Sequence, residues 1–203
     1  MATYDDPRIL RAIAHPTRNR ILGELFAAGP LRAADIARTL AIPANPASFH
    51  LRQLAKYGLV EEAPDEARDR RDRVWRLSDP DGISFRTRDV LDQPGGPAAF
   101  AVFQRSAVAW GRHLVDRALA PEPGGQRRKS VSEWALRLTA EESAALLEEM
   151  SGVVERWRRR TQEAQDPGDG RSTYSVYQLI QPYPGPGPEA EAETETDSDE
   201  ESP

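Results

Sequence analysis

The sequence contains no cysteine. Disulfides, thiolate metal sites, iron–sulfur ligation and cysteine nucleophiles are therefore excluded. Histidine is scarce as well, at three in 203 residues. No run approaches the roughly 20 apolar residues that span a bilayer, and the first residues hold no apolar core of signal-peptide length. Cytoplasm is the expected location, and no membrane partner is expected. No glycine-rich phosphate loop occurs and no paired acids converge, so an enzyme is not expected.

What is present is a chain long enough for one sizeable core or two modest ones. The net charge of −6 is unevenly spread. Residues 183–203 hold eight acidic groups, from Glu189 to Glu201, and no Lys or Arg. Taking those eight away from the net −6 leaves the rest at +2. A mildly basic body with an acidic streamer is compatible with a polyanionic partner, because binding depends on where positive charge clusters.

The first 80 or so residues alternate short amphipathic stretches with turn signals, the pattern of a compact multi-helix module. Ile9, Leu10 and Ile13 give one apolar face, punctuated by His15-Pro16; Ile21, Leu22, Leu25 and Phe26 give a second that ends at Gly29-Pro30. A third helix covers Ala33 to Leu40. A fourth is predicted to start near Asn45, with Asn45 as cap and Pro46 at the first helical position, and to stop at Gly58. Leu59–Ala63 and Arg73–Leu77 then have strand character around a charged connector, Pro64–Asp72, which predicts a hairpin with a charged tip.

Asp92–Pro97 is a proline and glycine break. Beyond it, Phe100, Phe103, Ala107, Trp110 and Leu114 recur at spacings of three and four, a narrow stripe suited to helix pairing, and a long helix to Leu119 is expected to pair across a two-fold axis. A loop from Pro121 to Lys129 leads to an apolar run, Val131–Leu138. Thr139 with Glu142 forms a capping box opening a helix that carries Leu146, Leu147, Met150, Val153, Val154 and Trp157. Asp166–Gly170 breaks it, and Thr173–Ile180 alternates as a strand that would pair with the run ending at Leu138. The remainder, Pro182–Pro203, is too polar and proline-rich to pack. The expected fold is mainly α with a small β component. Residues 1–91 form a winged helix-turn-helix domain, 92–182 a helical dimerisation region with a strand-helix-strand extension that could house an effector, and 183–203 a disordered acidic tail.

A helix, a short turn, a second helix and a two-stranded hairpin follow the order of a winged helix-turn-helix, whose second helix fits the major groove. Ser48, His50-Leu51, Leu54 and Gly58-Leu59-Val60, together with His15-Pro16-Thr17-Arg18, resemble the ArsR-type family of repressors over residues 7–80. That resemblance implies a homodimer acting on double-stranded DNA. The family's thiolate metal site is not implied here, since its cysteines are absent.

The residues can also be read without the resemblance. Leu51 and Leu54 share one face and hold the fourth helix to the core. Asn45, Ser48, Phe49, Arg52, Gln53 and Lys56 lie largely on others, and no acid occurs from Asn45 to Tyr57. Arg and Gln suit base edges; Ser, Asn and Lys suit phosphates. His50 is assigned to helix packing or a phosphate hydrogen bond rather than to titration. Arg68, Arg70, Arg71 and Arg73 at the hairpin tip, offset by Asp69 and Asp72, would contact phosphates or a minor groove and give affinity more than sequence choice.

No metal site and no cofactor are expected, because His15, His50 and His113 are scattered and His113 with Asp116 is a weak pair. Trp110, Trp134, Trp157, Tyr174 and Tyr177 could line a pocket for an unknown organic effector, although core and dimer packing explain them equally well. Arg156, Arg158, Arg159 and Arg160 read as a solvated helix end favoured by its dipole. The competing reading is a winged module that contacts RNA or protein without sequence-specific DNA binding. A sharper role for the acidic tail is competition with DNA for the basic surface.

Overall fold

Along the chain the elements are β1 (Ala2–Thr3), α1 (Pro7–Ile13), α2 (Pro16–Ala28), β2 (Leu31–Arg32), α3 (Ala33–Thr39), α4 (Ala44–Lys56), β3 (Val60–Glu62), a 3-10 turn (Pro64–Glu66), β4 (Val74–Leu77), β5 (Ile83–Ser84), α5 (Thr87–Leu91), α6 (Gly96–Leu119) and α7 (Ala140–Glu163). The computed structural model describes residues 2–67, 73–121, 129–164 and 170–183. It divides into two compact units, one of Met1–Val131 with Glu155–Ser175, the other of Ser132–Val154 with Val176–Pro203.

The first unit is built from capped helices. The Asp6 carboxylate accepts from the Arg8 backbone N–H at 2.8 Å, and Pro7 takes the first helical position, where its missing N–H costs nothing. His15 starts α2 in the same way, its Nδ1 accepting from the Thr17 N–H at 3.2 Å. The apolar stripes of α1 to α4 meet in one core: Ile21, Ile36, Leu51 and Leu54 are fully buried, and Trp75 and Leu77 close it from the sheet. A smaller cluster joins Leu10 of α1 to Val90 of α5 and Ala99 of α6, with Phe85, Phe100 and Phe103 packed around it. The Phe85 and Phe103 rings meet edge to face at 5.0 Å.

The sheet exceeds the expected hairpin. β2 adds a third strand, giving the antiparallel order β2-β4-β3, with Leu31 opposite Trp75 and Val60 opposite Leu77. β1 and β5 form a separate parallel pair. The strands β1, β2 and β5 are two residues long, too short to show periodicity, and exist because non-local partners supply their hydrogen bonds.

The break at Asp92–Pro97 is a turn inside the first unit. A Cβ on Gly96 would stand 1.9 Å from the Val90 carbonyl oxygen, so only glycine lets α6 begin this close to α5. The stripe Phe100, Phe103, Ala107, Trp110 and Leu114 of α6 is partly buried along its length. Phe100 and Phe103 pack within the chain, while Val108, Val115 and Leu119 on its later turns are exposed.

The capping box of α7 is formed: the Thr139 N–H donates to Glu142 Oε2 at 2.8 Å and the Glu142 N–H to Thr139 Oγ1 at 3.1 Å. The expected strands beside it are not. Residues 131–139 and 170–181 carry neither helix nor strand. A strand needs a neighbour to complete its ladder and a covered face for its alternating apolar side chains, and Trp134 and Leu179 are 77% and 71% exposed. Within the second unit Leu147, Val153 and Val154 of α7 are exposed too.

The end of α7 belongs to the first unit. Arg158 lies 4.7 Å over the Phe26 ring, and Gln162 Nε2 donates to the Phe26 carbonyl at 2.9 Å. The arginine run is solvent-exposed, as expected, except for Arg158, whose side chain is 10% exposed. Arg158 and Arg159 both bond Glu155, and Arg160 lies over Trp157.

Candidate nucleic-acid interface

α3 and α4 are joined by a turn of three kinds of constraint. Leu40 is buried in the core. Ala41 takes a left-handed conformation, φ 52°, which lets the Ala41 and Ile42 N–H groups return to the Arg38 and Ala37 carbonyls. Arg20 of α2 donates through Nη2 to the Leu40 carbonyl at 3.2 Å. The helix that follows begins two residues before the sequence predicts, at Ala44 rather than Pro46. Pro43 is the cap residue, without a side-chain bond, and Asn45 and Pro46 stand inside the first turn. Asn45 is therefore not a cap; a proline before the helix sets the extended entry by its fixed φ, and the Asn45 amide is left exposed.

Along α4 one face is spent on the core and the other faces solvent. Ala47, Leu51 and Leu54 are fully buried. Asn45, Arg52 and Lys56 are exposed, Phe49 is half exposed, and Ser48, His50 and Gln53 are partly buried. Among the described residues neither Arg52 nor Lys56 has an ion-pair or hydrogen-bond partner, so both cations remain available to an outside ligand. At the far end Gly58 adopts φ 68°, the Gly58 N–H reaches the Ala55 carbonyl at 2.9 Å, and the Leu59 N–H reaches the Leu54 carbonyl at 3.1 Å. Leu59 is buried and leads straight into β3.

The wing is less generous than its composition suggests. Arg73 is exposed with its guanidinium 3.6 Å from Glu62, and Arg76 bonds both Glu61 and Asp65. Arg68, Arg70 and Arg71 lie outside the described residues.

Sequence reasoning missed the contact behind α4. The His15 and His50 rings lie 4.7 Å apart between centroids, and Phe49 meets the His50 ring edge-on at 5.5 Å. His50 Nδ1 is buried without a hydrogen-bond partner among the described residues. Arg18 stands near both rings, its guanidinium turned back onto the Ala12 and Arg11 carbonyls. Burial, and then Arg18, hold His15 below the usual imidazole range; burial, then His15 and Arg18, do the same to His50. The His15-Pro16-Thr17-Arg18 run is visible in the sequence, but nothing local ties it to His50.

Trp134, Trp157, Tyr174 and Tyr177 are 48% to 77% exposed, and Trp110 stacks on His113 at 5.4 Å. Among the described residues no group of three or more His, Asp or Glu side chains is placed to hold a metal ion, and no helix is long and apolar enough to cross a membrane.

A family model described as a helix-turn-helix domain matches residues 13–63. No curated protein matches the chain. Similar solved structures include the homodimeric winged helix-turn-helix DNA-binding domain of Mb0332 from Mycobacterium bovis, described as a possible ArsR-family transcriptional regulator. It is 23% identical over 53% of this chain and 79% of that one, with a TM-score of 0.31. The PcaV transcriptional regulator of Streptomyces coelicolor is 18% identical over 70% and 74%, TM-score 0.34. A single-site mutant of MarR from E. coli is 17% identical over 72% and 86%, TM-score 0.32. With α3, its constrained turn and α4 in sequence, followed by the antiparallel β3–β4 pair, residues 13–63 match a helix-turn-helix domain, and the element order is that of a winged helix-turn-helix fold.

Proposed function

We propose that this chain is a sequence-specific repressor that acts in the cytoplasm as a homodimer on an inverted-repeat operator, and that it is not an enzyme. The observation that carries the reading is the outer face of α4: two cations without partners among the described residues, an exposed amide and a half-exposed phenyl ring on a helix held to the core by buried leucines. In a major groove Arg52 and Gln53 would meet base edges. Phe49 would lie against a thymine methyl, and Asn45, Ser48 and Lys56 would meet phosphates. Arg73 and the wing-tip arginines 68, 70 and 71 would add backbone contacts. The exposed Val108, Val115 and Leu119 of α6 are the apolar residues offered for pairing with a second copy.

Selection of bound duplexes from a random DNA pool tests this, with an Arg52→Ala, Ser48→Ala variant beside the native chain. An inverted-repeat motif that vanishes in the variant is the expected result. Equal binding of scrambled duplexes, or none from a folded dimer, would leave the RNA- or protein-binding reading in its place.

A further inference from the structure

We propose that His15 is a positioning residue for the recognition helix: its ring and that of His50 form a proton-sensitive latch that keeps α4 in its reading position. The inference rests on the DNA-binding role proposed above and adds a regulation to it.

The geometry makes neutral rings the only comfortable state. His15 Nδ1 is already an acceptor, taking the Thr17 N–H that would otherwise be an orphan at the start of α2. Neutral His15 therefore carries its proton on Nε2. Adding a proton at Nδ1 abolishes the cap and turns two donors toward each other. His50 Nδ1 is buried without a hydrogen-bond partner among the described residues, so the imidazolium form of His50 would bury an unsatisfied charged N–H there. The rings contact each other, and protonation of either places a cation beside its neighbour.

The surrounding charges point the same way. From α2 the charged group acting on both rings is Arg18, whose own burial disfavours its charge. Tyr57, at the end of α4, acts on Arg18. Phe49 contributes a ring edge and no charge. Among the described residues no carboxylate from α1, α3, β3 or α6 acts on either histidine to stabilise an imidazolium. Since both rings bind protons less readily when latched, the latch holds at neutral pH. It weakens as pH falls below the ordinary imidazole value of 6.5.

Acid should thus lower operator affinity while leaving affinity for scrambled duplexes the same or higher, because a protonated histidine adds attraction for phosphate in general. The test uses the full chain, the operator obtained by selection and a scrambled duplex, at about pH 7.5 and about pH 5.5. Native protein should lose about tenfold in the operator-to-scrambled ratio. His15→Asn, which keeps a capping side chain but removes the ring contact, should start from a lower ratio at the higher pH and lose most of the pH dependence. A ratio that is flat or rises in acid, or an unchanged pH dependence in His15→Asn, overturns the latch. The latch is also read without DNA, by the drop in melting temperature between the two pH values. That drop should be larger in the native chain than in His15→Asn, and equal drops overturn it. If no duplex is bound at the higher pH, the DNA-binding reading fails while the melting data still decide the latch. Should His15→Asn not fold, imidazole nitrogen shifts of the native chain replace it: titration of both rings below the ordinary value supports the latch, and ordinary titration overturns it.

Discussion

Arg20 Nη2 donates to the carbonyl oxygen of Leu40 at 3.2 Å, binding the middle of α2 to the turn that aims α4. A partly buried bond from a charged donor is worth about 1.5–3 kcal/mol. Arg20→Ala should lower the urea midpoint accordingly and also weaken operator binding. An unchanged midpoint would show that water satisfies the Leu40 carbonyl as well as the guanidinium does.

The turn itself carries strain at Ala41, whose φ of 52° lies where a Cβ crowds the following carbonyl. Such a conformation costs about 1–2 kcal/mol in a non-glycine residue. Ala41→Gly should therefore stabilise the chain by about 1 kcal/mol, after the extra entropy that glycine loses on folding. A lower melting temperature in this variant would contradict the strained turn.

The opposite sign is expected at Gly96. Any side chain there meets the Val90 backbone oxygen at 1.9 Å, and backbone cannot step aside cheaply. Gly96→Ala should cost about 2–4 kcal/mol by separating α5 from α6, with near-ultraviolet changes from the Phe85–Phe103 pair.

Arg52 and Lys56 should separate on DNA. Lys56→Ala is expected to weaken operator and scrambled duplexes alike and to reduce the salt slope by about one. Arg52→Ala should cost about 1–3 kcal/mol on the operator and relax selection at one base position per half-site. Equal effects of the two variants on both duplexes would assign Arg52 to the phosphates as well.

At low pH the vulnerable group is Glu155. Bonds from Arg158, then Arg159, hold it at about 2, against an ordinary 4.5. Because the folded value is the lower one, its contribution is complete above 4.5 and fades as pH falls from there toward 2. Glu155→Gln should flatten the fall in melting temperature across that window, and an unchanged slope would place the acid sensitivity elsewhere.

The helical half of this architecture was legible because its signals are local. Pro16, Gly29 and Gly58 mark helix ends that the backbone uses, with φ of 78° and 68° at the two glycines. Thr139 and Glu142 form the reciprocal bonds their spacing announces. The outward face of α4 follows from Leu51 and Leu54 facing inward. What stayed hidden depends on distant partners. β2 exists because Leu31 and Arg32 meet β4, and α5 because Val90 packs on Leu10. His50 gains its environment from His15 across the helix pair. Pattern also misled in two places. Asn45 resembles a cap, but Pro43 precedes it, and the apolar run Val131–Leu138 and the alternation in Thr173–Ile180 form no strand.

The junction at Gly58 and Leu59 has a consequence for how DNA would be gauged. One buried leucine both closes α4 and leads into β3, so no slack separates α4 from β3. On the proposed DNA-binding role, α4 and the β3–β4 pair would act as a caliper with a fixed opening. Duplexes whose flanking minor groove is already narrow, as in A-tracts, fit without being bent, whereas wider ones must be deformed to reach both arms. Discrimination would extend to base pairs that no side chain touches.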